Sequence, residues 1–176
     1  MNVFLITVLI SIIPLWELQN VLHELTHGLT IKLGWKWNFT LYPYPNTKLG
    51  RFCFASVLYE KVAGSKDMND KDYGIVALAP KIMNLFFIIL SSILACCFLH
   101  NDIAFGVLLV FITCNFIDFV FGILTLFRSA PKEGVDLWVF QKGFGYSIHI
   151  LRDIGAVAIS ILGSLIGVLL ILHFLW

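Results

Sequence analysis

Residues 23–27 read His-Glu-Leu-Thr-His, two imidazoles and a carboxylate within five positions. The run fits HExxH, the zinc-hydrolase pattern. On a helix, His23 and His27 lie one turn apart and can hold one metal from one face. Glu24 lies about 100° around the helix. From there it can reach a water on that metal and take its proton. Three fixed residues recur by chance, so the surroundings matter more than the pattern. These groups sit inside an apolar segment, where ionisable side chains are costly and usually functional. The plainer alternative is an amphipathic helix with two solvated histidines.

The neighbours bear on which it is. At about 3.6 residues per turn, Gln19, Asn20, His23, Thr26, His27 and Thr30 fall in one arc of roughly 120°. Glu17 and Glu24 flank that arc. Leu18, Val21, Leu22, Leu25 and Leu29 cover the opposite side. The spacing predicts a helix with a polar face and a lipid or packing face.

Composition says what kind of protein must position these residues. The chain has 176 residues, enough for one domain over 1–176. Hydrophobic residues make up 59% and charged residues 13%, with a mean hydropathy of +0.90. No soluble domain of this size needs so much apolar surface, so an integral membrane protein is expected. A net charge of +1 does not suggest nucleic acid as a partner. Cys53, Cys96, Cys97 and Cys114 show no CxxC spacing, which predicts neither a disulfide nor a cysteine-based zinc site. The first apolar run continues into the HELTH helix without a small-residue cleavage site and is expected to be retained.

The expected fold is mainly α: a polytopic membrane protein with about four transmembrane helices and a small β-hairpin insert after the first. The spans are expected over about 3–31, 75–99, 103–127 and 154–176. Pro14 lies within the first. After it, residues 35–42 alternate apolar and polar, which is a strand period. Pro43, Pro45 and Asn46 supply turn chemistry, and 51–59 reads as the second strand. Its edge could accept an extended substrate or could merely cap the helices. Residues 60–73 and 128–153 read as polar loops. The second span contains Ala79-Pro80 and Asn84. The third contains Asn115 and Asp118, three apart on one face. An aspartate in a span needs a metal, a base or a proton path as partner, or a packing hydroxyl or amide. In the fourth, Gly163 and Gly167 form a GxxxG pair, for packing within the monomer or for a homodimer. His173 is expected at the interface.

All twelve Lys and Arg are read as lying in or beside two loops. Lys32, Lys36, Lys48, Arg51, Lys61, Lys66, Lys71 and Lys81 flank or fill the first. Arg128, Lys132, Lys142 and Arg152 belong to the second. The positive-inside rule makes that side cytosolic and the termini opposite. His27, Asn84 and Asp118 then lie roughly 8–14 Å below the cytosolic surface, at about 1.5 Å per residue.

With these residues in place, the chain resembles the site-2 protease family of intramembrane zinc metallopeptidases. HELTH matches the family's HExxH on a membrane helix. Asp118, on a later span, matches the position of its third zinc ligand. Ala79-Pro80 with Asn84 is similar to its Gly-Pro segment with a nearby asparagine, and the β-like insert also fits. The resemblance covers roughly residues 15–125. Asp118 is followed by Phe119 where the family commonly has glycine, the asparagine after Pro80 comes one residue late, and no PDZ-like domain is expected. The chain looks like a minimal, divergent membrane zincin of a bacterial cell membrane.

The resemblance implies a zinc metalloendopeptidase that hydrolyses membrane-spanning or membrane-associated substrates near the cytosolic face. It implies His23, His27 and Asp118 as zinc ligands; should Asp118 not ligate, Glu133, Asp136 or His149 of the second loop would take the third place. Glu24 is then the general base. Asn84 or Asn115 could stabilise an oxyanion or hold substrate backbone. The partners expected are the lipid bilayer and a membrane-protein or peptide substrate, added as a strand to the 35–42 edge. The other class is a non-hydrolytic metal-binding membrane protein, such as a transport or immunity factor. A di-iron enzyme would need further carboxylates and a second ExxH.

Overall fold

The computed structural model describes residues 3–48, 51–127 and 136–175. Its elements run α1 (Val3–Trp35), β1 (Asn38–Tyr42), β2 (Asn46–Lys48), β3 (Arg51–Cys53), β4 (Ser56–Glu60), α2 (Asp70–Cys97), α3 (Asp102–Thr125), α4 (Asp136–Phe144) and α5 (Ile148–Leu175). Among the described residues, α1, α2, α3 and α5 are long and apolar enough to cross a membrane. Leucines and isoleucines that a water-soluble bundle would bury stand out from them, such as Ile13 on α1 and Ile161 on α5. This is the surface of a membrane protein, with lipid as solvent.

The helix boundaries follow from local chemistry. Helix α1 continues through Pro14. It runs past residue 31 because Ile31 and Trp35, four apart, bury together against Val76 of α2. That packing overrides the strand-like alternation expected from Trp35. The chain leaves the helix at Lys36, whose φ of 61° lies in the left-handed region, and the strand begins at Asn38. Helix α2 starts at Asp70, within the expected loop. The Asn69 side chain accepts from the Lys71 and Asp72 backbone N–H groups, and Asp72 accepts in return from Asn69 N. This capping box fixes the N-terminus. Asn101 caps α3 by accepting from Ala104 N at 2.9 Å.

Strand β1 pairs antiparallel with β4, Phe39 opposite Tyr59. Strands β2 and β3 form a separate ladder. The expected single hairpin is thus split. Pro43 and Pro45 cannot donate to a ladder, and the two paired stretches lie on either side of them. The first sheet seats on α1 through Phe39, whose ring covers Gly28. A Cβ at Gly28 would lie 2.5 Å from Phe39 Cδ2.

Residues 128–153 are not one polar loop. Residues 128–135, Glu133 among them, lie outside the described residues. Beyond them comes α4, and α5 begins already at Ile148. Leu137, Phe140 and Phe144 recur at helical spacing, and Leu137 is buried in the main core. Trp138 Nε1 donates to Thr125 O at the end of α3. That core runs between α2, α3 and α5 through Ile88, Phe105, Ile112, Ile123, Leu162 and Leu169. On α5, a Cβ at Gly163 would be in ordinary contact with Phe116 of α3, and Gly167 faces open space. His173 is stacked on Phe105 and donates through Nδ1 to Leu99 O at 2.7 Å. It ties the end of α5 to the α2–α3 turn. All four cysteines are free thiols.

Candidate metal centre

Helix α1 brings His23, Glu24 and His27 to one cavity of about 670 Å³, which Lys81 of α2, Asp118 of α3, Asp136 of α4 and Tyr59 of β4 also line. Three polar side chains beside the motif bond back to their own helix, and Thr26 also reaches Met83 Sδ of α2 at 2.8 Å. Thr26 and Thr30 donate to the carbonyls four residues earlier, each at 2.7 Å, and Asn20 does the same at 2.9 Å. The histidines are left to make contacts outside it.

The two imidazoles are held alike. His27 Nδ1 lies 2.9 Å from Val76 O. A carbonyl only accepts, so Nδ1 carries the proton and Nε2 is a free lone pair. Val76 O is available because Pro80, four residues later, has no N–H to give it. His23 Nδ1 lies 3.0 Å from Asp118 Oδ2, which fixes the same tautomer. Both Nε2 atoms then face Asp136, at 3.2 Å from His23 to Oδ2 and 3.5 Å from His27 to Oδ1.

The three donors of His23, His27 and Asp136 lie within 4.8 Å of one another. Ligands about 2.1 Å from a tetrahedral ion stand about 3.4 Å apart, and the two contacts to Asp136 straddle that spacing. Two histidines oriented through their far nitrogens, with one carboxylate, suit a divalent metal with an open coordination position. Burial pushes the Asp136 carboxyl up, but the two imidazoles, when a second proton on Nε2 makes each a cationic donor, outweigh it and hold Asp136 well below the usual carboxylate range; a metal ion on the Nε2 lone pairs would take the place of those protons. Asp136 is an anion ready to ligate.

This differs from the expected ligand set in one member. In this geometry the third donor is Asp136, and Asp118 stands behind His23 on the side away from the cluster. One oxygen of Asp118 accepts from His23, from Lys81 Nζ at 2.9 Å and from Asn84 Nδ2 at 2.5 Å. His149, which the sequence also offered for the third place, is exposed at the start of α5. Asn84 and Asn115 are both fully buried and neither lines the cavity. Asn84 holds Asp118, and Asn115 donates to Phe111 O within its own helix. The oxyanion role expected of them has no contact here.

Two lining residues were not expected as part of a site. Lys81 is not a loop charge. It is buried in α2, with Nζ 2.9 Å from Asp118 and 3.8 Å from Asp136. A lysine within a span costs about 3 kcal/mol unless paired, and its position inside the expected second span was the signal. Tyr59 gave no signal in the sequence. Burial first, then the negative charges of Glu24 and Asp136, push its phenol up, so it remains a hydroxyl donor.

The chain matches no protein-family model, no characterised protein and no solved structure.

Proposed function

We propose that this protein is a membrane-embedded zinc metalloprotease of site-2 protease type, cutting membrane-spanning or membrane-associated segments near the cytosolic face. The observation that carries this reading is the convergence of His23 Nε2, His27 Nε2 and Asp136 in the cavity that Glu24 also lines. A bare metal store has no need of a carboxylate beside the ligands.

His23, His27 and Asp136 would hold the zinc, with Asp118 and Val76 O fixing the two rings. A zinc bound there would supply Lewis-acid chemistry, polarising a carbonyl and lowering the pKa of a water. Glu24 takes the water's proton and passes it to the leaving amine. The Tyr59 phenol lines the same cavity and would donate to the oxygen on which charge develops. The remaining eleven of the twelve Lys and Arg fall in or beside the two connecting regions on the α4 side, which supports a cytosolic site. The substrate unwinds locally and adds as a strand to the small sheet at its 38–42 edge.

The test is Glu24→Gln. The variant keeps its zinc and fold, and cleavage of co-expressed single-span proteins falls about 10²–10⁴-fold. Equal cleavage by wild type and variant overturns the protease reading. A protein that binds metal without hydrolysis, as a transport or immunity factor does, is indifferent to the change.

A further inference from the structure

We infer that Lys81 is a positioning residue of the metal centre, an internal counter-cation that holds its two carboxylates in place before any metal arrives. The inference rests on the metal site proposed above and concerns how that site is built.

The ammonium ties its own helix to two other elements at once. From α2 it donates to Asp118 Oδ2 at 2.9 Å and lies 3.4 Å from the Asp118 carbonyl oxygen, both on α3. Asp136 Oδ2, on α4, is 3.8 Å away. Asp118 therefore stays fixed against His23, and Asp136 is drawn toward the histidine pair. The path to this position is built into α3. A Cβ at Gly122 would stand 2.8 Å from Lys81 Cε and 3.4 Å from its Nζ. A side chain at 122 would force the end of Lys81 to shift from this position.

Formal charge fits the same picture. Glu24, Asp118 and Asp136 face the cavity as three carboxylates. One ammonium and one divalent ion balance them. Without Lys81, two carboxylates beside an empty site repel each other, with only the histidines and, for Asp118, the Asn84 amide to hold them.

Two roles other than positioning make different predictions. A cation acting only through its charge repels a divalent metal, so its removal would tighten binding. A lysine that only stabilises the fold would lower the melting temperature and leave the metal's surroundings alone. A positioning residue, when lost, weakens binding about 10–100-fold, as loss of a contact behind a ligand does.

The experiment titrates cobalt(II) into detergent-purified wild type, Lys81→Met, Gly122→Ala and His23→Ala, reading affinity and the visible ligand-field spectrum. Gly122→Ala keeps every charge and displaces Lys81 by crowding alone, so it decides the matter should Lys81→Met not fold. The expected result is a rise in Kd of about 10–100-fold and an altered spectrum in both Lys81→Met and Gly122→Ala. Unchanged or tighter binding with the wild-type spectrum overturns the positioning role. If wild type binds no cobalt, or His23→Ala binds it equally well, the metal reading itself falls and takes this inference with it.

Discussion

His27 donates its Nδ1 proton to the carbonyl of Val76, the residue four before Pro80. The proline and the histidine are on different helices, and each explains the other. Pro80 frees a carbonyl that continuous α-helix would consume, and His27 uses it to set its tautomer.

Pro80→Ala tests this directly. An alanine N–H at position 80 competes with His27 for Val76 O. Helix α2 becomes more regular, since a mid-helix proline costs about 3 kcal/mol in isolation. We expect thermal stability to hold or rise while zinc affinity falls about tenfold. Equal affinity in calorimetric titration would show that the carbonyl does not hold the ring.

Asp136→Asn and Asp118→Asn should part company. The first removes a ligand, and zinc content by elemental analysis should drop from one per chain to near none. The second leaves all three donors in place and should keep one zinc per chain at about 10–100-fold weaker affinity. The reverse pattern would return Asp118 to the ligand set.

Gly28→Ala probes how the sheet reaches the site. The new methyl would meet the Phe39 ring at 2.5 Å, so Phe39 must leave and the β1–β4 sheet shifts on α1. Overpacking of this kind costs about 1–3 kcal/mol. Tyr59, opposite Phe39, moves with it, so we expect cleavage to fall while zinc content stays full. Unaltered cleavage and melting temperature would count against the seating described.

For sidedness, Asp67→Cys in a background with the four native cysteines replaced by serine gives an exposed label site. In oriented membranes a non-permeant maleimide should react from the cytosolic side alone. Reaction only from outside would invert the topology.

Much of this was legible in the chain because membrane helices write themselves in long apolar runs and HELTH sits inside one. Asp118 was legible too, as a charge in a span, but not its partner. Hydrogen-bond direction decides which side of His23 a carboxylate occupies, and no spacing encodes that. Helix α4 was hidden because Asp136 stands beside Pro131 and Glu133 in polar sequence, while its own apolar stripe is only three side chains long. Lys81 was visible but counted with its loop neighbours. Tyr59 depends on the pairing of two strands nearly twenty residues apart, which pattern alone does not fix.

Asp136 is the first residue of α4, carried by the connection between two spans rather than by a span itself. The bundle can therefore thread into the bilayer and pack with its pair of imidazoles complete and its third donor still in water. On the metal reading proposed above, maturation would end when α4 packs against α2, and the ion would be captured from the compartment that α4 occupies. Metal supply in that compartment, rather than insertion into the membrane, would then set when newly made protein becomes competent.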